Sequence, residues 1–164
     1  MSRVNTWPDS VERVAAALRA AQVEARIEEH AAETASAQEA ADAAGCKLAQ
    51  IVKSLVFVAD SDLTLALVPG DRRADGKKIA AALGARKARV ATADEVEALT
   101  GFEPGAVAPV GLRAPARVLV DRALVTEQLV WIGAGSPRHV AELRPADLVR
   151  VARAEVVDVA ERSG

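Results

Sequence analysis

The sequence predicts an α+β domain in which helices flank a mixed sheet. Strand-like and helix-like segments interleave without forming strict strand–helix–strand units. "FVADSDLTLALVP" reads as a hairpin, with Asp60, Ser61 and Asp62 turning between two apolar runs. Further along, "ARVLVD" and "QLVWIG" follow one another as strands with no helix between them.

Taken in order, "PDSVERVAAALRAAQ" opens with the helix-start residues Pro8, Asp9 and Ser10 and places Val11, Val14, Ala15 and Leu18 on one face. "EARIEE" alternates briefly and predicts a short strand. "SAQEAADAAG" predicts a second helix, with Ser36 and Glu39 as a capping box and Gly45 as the stop. The strand "QIVKSLVFVAD" follows, and the hairpin's second strand ends at Pro69 and Gly70. "DGKKIAAALG" reads as a helix, "ARKARVA" as a short strand, and "TADEVEALTG" as a helix capped by Thr92 with Glu95 and closed by Gly101.

Residues 102–115 hold three prolines and two glycines and follow neither period, so they form a loop inside the domain. After the strands "ARVLVD" and "QLVWIG", "GAGSPRHVAEL" predicts a glycine-containing turn running into a strand. "RPADLVRVA" is a short helix with Pro145 near its first turn, and "AEVVDVA" closes the chain as a strand.

The chain has 164 residues, 51% hydrophobic and 27% charged, which predicts one packed domain over residues 1–164, with residues 1–30 as an N-terminal helix and short strand. Net charge is -2, which excludes a bulk-electrostatic nucleic-acid binder; no DNA partner is expected, and any RNA contact must use a local patch. The single cysteine, Cys46, allows no intrachain disulfide, and with only His30 and His139 no histidine metal cluster is expected. There is no Walker-type phosphate loop and no GxGxxG, so no cofactor is expected. No apolar run reaches membrane-spanning length and the N-terminus lacks a signal-peptide pattern, so the expectation is a soluble cytoplasmic protein without a membrane partner.

Four places could carry chemistry. Lys53 sits in an apolar strand and shares a face with Ile51, Leu55 and Phe57 by period two. It is either an outward lysine that snorkels or a cation held at a cleft. Gly105-Ala106-Val107-Ala108-Pro109, followed by Gly111, is either a simple turn or a backbone site whose N–H groups meet a carbonyl or anion. Gly133-Ala134-Gly135-Ser136-Pro137 is either a tight turn or a second pocket wall, with Ser136 as a hydrogen-bond donor. Asp121 is either a strand-end turn residue or a buried partner for a lysine. His139 reads as a surface or core histidine, and Cys46 as a small buried side chain. Arg72, Arg73, Lys77, Lys78, Arg86, Lys87 and Arg89 cluster in sequence, diluted by Asp71 and Asp75; they form a solvated face or, beside a pocket mouth, an RNA contact.

The order of these motifs carries a resemblance. "EAADAAGCKLAQIVKSLVF", "LALVPGDRRADGKKIAAALGARKARVATADEVEALTGFEPGAVAPVGL", "VLVDRAL" and "VWIGAGSPRHV" together resemble the YbaK family, free-standing relatives of the editing domain of bacterial prolyl-tRNA synthetase, over roughly residues 30–160. The resemblance implies an α+β fold with a mixed, partly barrel-like central sheet. It implies an aminoacyl-tRNA deacylase that hydrolyses the ester of mischarged tRNA for proline carrying cysteine, alanine or a similar small amino acid. Aminoacyl-tRNA is then the substrate, with a prolyl-tRNA synthetase as a further partner. Lys53 matches the family's strand lysine and takes the catalytic role. Gly105 to Pro109 matches its G-x-x-x-P loop, and Gly133 and Gly135 its pocket-lining glycine turn. Ala106 and Ala108 depart from the family's usual glycine and serine, which bears on amino-acid preference. The alternative is a non-catalytic module that binds tRNA or a synthetase and retains the pocket.

Overall fold

A computed structural model describes residues 7–34 and 36–162. Helix α1 (Asp9–Ala20) starts on Pro8, whose carbonyl accepts from the N–H groups of Val11 and Glu12, and it buries Val11, Val14, Ala15 and Leu18. Strand β1 (Arg26–Glu29) and helix α2 (Ala37–Ala44) follow. The Ser36 side chain accepts from Glu39 N–H at the start of α2, and Gly45 ends the helix in the left-handed conformation, φ 72°. The hairpin forms as β2 (Val52–Ala59) and β3 (Asp62–Pro69). Then come α3 (Gly76–Leu83), β4 (Ala88–Val90), α4 (Ala93–Thr100), β5 (Arg117–Asp121), β6 (Val130–Ser136), β7 (His139–Leu143), α5 (Pro145–Ala152) and β8 (Glu155–Val157). The Thr92–Glu95 capping box forms at α4, and the Asp75 side chain caps α3 by accepting from Lys77 and Lys78 N–H.

The strands make two sheets. One has the order β4-β2-β3-β5-β8, antiparallel from β4 to β3 and parallel from β3 to β8; the other, β1-β7-β6, is antiparallel throughout. This is the mixed α+β architecture that the sequence predicts. The partly barrel-like sheet takes the form of two open sheets. Among the described residues they are bridged at one corner, where Ile51 pairs in parallel with Trp131. Closure fails because the edges are short: β4 reaches only Phe57–Ala59 of β2, and β8 spans three residues.

Period two sorts the core. Val52, Val56, Leu65, Leu67, Val118 and Val120 face one cluster, with α1, β6 and α5. Phe57, Ala66, Val68 and Leu119 face a second cluster, with Ile79 of α3 and Val159. The large sheet is therefore buried on both faces, and β3, its central strand, is buried from Leu63 to Pro69. Each fully buried leucine or valine contributes about 1.5–3 kcal/mol relative to exposure.

Two details differ from the sequence expectation. β6 continues through Gly133–Ser136 with a bulge, so the turn falls at Pro137–Arg138 rather than starting at Gly133. Only Ala88–Val90 of "ARKARVA" is strand, because pairing with β2 stops at Phe57. No helix among the described residues is long and apolar enough to cross a membrane.

Candidate active site

A cavity of about 270 Å³ opens where β2 lacks a neighbour. The Ile51 carbonyl accepts from Gly70 N–H at 2.8 Å on the β3 side, and the Val56 carbonyl accepts from Ala91 N–H at 3.0 Å on the β4 side. Strand alternation then turns the N–H and carbonyl of Ser54 away from β3, toward the edge that β4 does not cover. Val52, Lys53, Ser54 and Leu55 line the cavity at that edge. Gly105–Val107 form a second wall, β6 and β7 a third, and the start of α2 closes it.

Lys53 is half-buried, and its ammonium donates to the carbonyl of Arg72. Burial pushes its pKa below the ordinary lysine value; Asp71 opposes the shift and Arg73 adds to it. The side chain is thus a partly desolvated cation tethered at a cavity wall, not a fully solvated surface lysine.

The wall opposite is main chain. Gly105 has φ 84° and open space where a Cβ would stand, so glycine is required there by conformation, not by crowding. Ala106 N–H is engaged by the Glu103 carbonyl at 3.0 Å. The N–H groups of Gly105 and Val107 have no backbone partner among the described residues. Gly133 is a close-approach glycine: a Cβ there would lie 3.1 Å from the Val107 carbonyl oxygen, so the loop rests directly on β6. From behind, Arg13 ties the two ends of this loop, donating to Gly111 O at 2.7 Å and Gly101 O at 2.9 Å, with its guanidinium over the Phe102 ring.

The remaining candidates divide. Ser136 and Pro137 line the cavity. Ala108 is fully buried in the core, and Pro109 and Gly111 line a groove on the far side of the loop, against α1 and α5. Gly135 packs on α1, where a Cβ would meet the Ser10 carbonyl at 2.6 Å. Asp121 lies outside the cavity at the end of β5, and of its two readings the pairing with a lysine is not formed among the described residues. It is 3% exposed; Oδ1 accepts from Val159 and Ala160 N–H and Oδ2 from Ala123 N–H, at 3.0–3.1 Å. It pins the C-terminal segment to β5. Asp121→Ala leaves three N–H groups without that acceptor and should cost about 3 kcal/mol or more in urea unfolding, without touching the cavity.

His139, which the sequence reads only as a surface or core histidine, lines the cavity at 4% exposure. Ser136 Oγ accepts from Arg138 N–H at 3.1 Å and meets His139 Nδ1 at 2.5 Å. The hydroxyl and Nδ1 share a hydrogen bond whose direction follows the ring's tautomer, and Nε2 lies 3.8 Å from Glu29. Burial lowers the His139 pKa from 6.5, with Glu29 opposing the shift and Arg138 and His30 adding to it. An unfolded histidine then holds its proton where the folded one has lost it, so stability rises with pH through the window below 6.5. The melting temperature should fall on acidification below that value, and less so in His139→Asn, which keeps a hydrogen-bonding group beside Ser136 and does not titrate.

Ser54 and Trp131 also line the cavity. In the sequence, adjacency to Lys53 is the one signal for Ser54, and Trp131 has none. Ser54 Oγ, Trp131 Nε1 and His139 Nε2 are sealed from solvent and have no hydrogen-bond partner among the described residues. Burial raises the pKa of the Cys46 thiol, which disfavours the thiolate. Among the described residues, no group of three or more His, Cys, Asp or Glu could hold a metal.

The family model of the aminoacyl-tRNA editing domain matches residues 31–151. The chain belongs to the aminoacyl-tRNA editing domain family. Within this family the chain is 39% identical over 111 residues to a proline–tRNA ligase of Nitratidesulfovibrio vulgaris (strain DP4), covering 68% of this chain but 19% of the ligase. It is 35% identical over 123 residues to the uncharacterized protein YwhH of Bacillus subtilis (strain 168), covering 74% of this chain and 78% of that protein. A crystal structure named as a candidate trans-editing enzyme for prolyl tRNA synthetase superposes with a TM-score of 0.88 at 37% identity, over 96% of this chain and all of the other. The editing-domain match covers Lys53, the Gly105–Val107 wall and Gly133, all inside residues 31–151.

Proposed function

We propose that the chain is an aminoacyl-tRNA deacylase acting in trans in the cytoplasm, hydrolysing the ester of tRNA for proline that carries a small amino acid such as cysteine or alanine. The observation that carries this reading is the pairing of a tethered, half-buried cation, Lys53, with the N–H groups of Gly105 and Val107, which have no backbone partner among the described residues, on the walls of one cavity. An aminoacyl ester is already activated, so its hydrolysis needs positioning and oxyanion stabilisation rather than a covalent nucleophile. Water attacks the ester carbonyl; the developing oxyanion is received by the N–H groups of Gly105 and Val107. The carbon–oxygen bond to the ribose then breaks, the ribose oxygen takes up the proton that the attacking water gives up, and the free amino acid and tRNA leave. Lys53 anchors the terminal ribose or its phosphate as a point charge. Ala106 is buried and adds a methyl where the family usually has glycine, which narrows the space for the amino-acid side chain.

A synthetase separates amino acids differing by one methylene only weakly, and a second hydrolytic site supplies the missing discrimination. The relatedness to proline–tRNA ligases supports proline tRNA as the substrate and a prolyl-tRNA synthetase as a partner. The test is release of amino acid from alanyl-, cysteinyl- and seryl-tRNA for proline. Protein-dependent release from at least one is expected. Release from none, with uncharged tRNA still bound, favours the binding-module reading.

A further inference from the structure

The fold divides the seven clustered basic residues by partner and by place; Lys77 is exposed in the first turn of α3, and its backbone N–H donates to Asp75. Lys78 is committed to Asp158 at 3.0 Å and to the Ala160 carbonyl, and Arg89 forms a two-pronged pair with Glu95 at 2.7 and 2.9 Å. Arg86 follows α3 and is fixed to the hairpin turn through its N–H to Asp60, with Lys87 beside it. That turn lies at the far end of β2, about 20 Å from Lys53 by strand rise. Arg72 and Arg73 are different. The Arg72 carbonyl holds the Lys53 ammonium, so both residues stand at the Lys53 end of the cavity. Neither guanidinium has an ion pair among the described residues. Arg73 is exposed and Arg72 partly so; Asp71 is the neighbouring carboxylate.

We propose that Arg72 and Arg73 form a phosphate-binding lane for the single-stranded 3′ end of tRNA, leading the terminal nucleotide to Lys53. This rests on the deacylase reading and adds the path of the RNA to it. The chain's net charge of -2 gives no general attraction to RNA, so affinity must come from a local pair of this kind. Guanidinium groups suit phosphate oxygens because two N–H donors can meet two oxygens. The Arg72 carbonyl, not its side chain, holds Lys53, so the side chain is free for a ligand.

The test compares the double variant Arg72→Gln/Arg73→Gln with the distant double variant Arg86→Gln/Lys87→Gln. Binding of uncharged tRNA for proline is measured against salt concentration. The first variant should bind at least about 10-fold more weakly, and its log–log salt slope should shrink by about 1.4, or about 0.7 for each single-strand phosphate that is no longer neutralised. The distant variant should match the native chain. In deacylation, KM for aminoacyl-tRNA should rise several-fold more in the first variant than KM for a 3′-aminoacyl-adenosine lacking phosphates. An unchanged slope in the first variant, an equal loss in the distant variant, or no binding of tRNA by the native chain overturns the lane. Failure of the native chain to release any amino acid, with the salt result as expected, would instead remove the deacylase reading and leave the lane standing.

Discussion

Lys53→Met should lower aminoacyl-tRNA hydrolysis by about 100-fold or more, in the range expected when an electrostatic contact to the reacting region is removed, while the melting temperature does not fall. The two halves separate a site lysine from a structural one. Burial disfavours the charged form of Lys53, so its folded pKa lies below the ordinary 10.5. Between the two values the unfolded chain binds more protons, so stability rises with pH across that window, and at neutral pH the folded state carries an unfavourable charge burial. Methionine keeps the stem's packing and removes the charge. The tether to the Arg72 carbonyl is lost, which offsets part of the gain. Rate loss with retained stability places Lys53 in function; equal loss of both makes it a structural tether, and an unchanged rate removes its role in hydrolysis.

Gly133→Val should reduce kcat/KM by about 100-fold through displacement of a loop it does not belong to, since a misplacement of about 1 Å can carry that penalty. A Cβ at Gly133 already lies 3.1 Å from the Val107 carbonyl oxygen, and valine adds two methyls. Overpacking of this kind costs about 1–3 kcal/mol in stability. The Val107 peptide is pushed off β6, and its N–H moves with it, while the Arg13 ties at Gly101 and Gly111 hold the loop's ends and confine the shift to its middle. Gly133→Ala needs only a few tenths of an ångström of adjustment and should lose less. Steady-state kinetics on both variants check the order native, alanine, valine; full activity in the valine variant would remove the loop from the oxyanion role.

The elements are legible in the sequence where local chemistry decides them. Thr92 with Glu95, the glycines at 45, 84 and 101, and the Asp60–Asp62 turn mark ends that form as read. What the sequence does not show is distance in the fold. Gly133 and Gly135 look alike in sequence, yet one meets the Gly105–Val107 loop and the other meets α1. Asp121 and Lys53 are both charges in apolar strands, but only Lys53 reaches the cavity, because backbone N–H groups from a segment almost forty residues later claim the aspartate. The basic cluster reads as one feature, and only the positions of Asp158, Glu95 and the hairpin turn divide it. His139 gives no local sign of its place; the bulge in β6 brings Ser136 and His139 into register beside the cavity.

The central claim is that the ester carbonyl sits between Lys53 and the main chain of Gly105 and Val107. A crystal structure with a non-hydrolysable amide analogue of 3′-aminoacyl-adenosine tests it most directly. The account predicts the analogue's carbonyl oxygen at about 3 Å from the N–H groups of Gly105 and Val107, with its ribose toward the Lys53 ammonium. An analogue bound in the groove behind the loop, or in the cavity with its carbonyl turned away from both N–H groups, would contradict it.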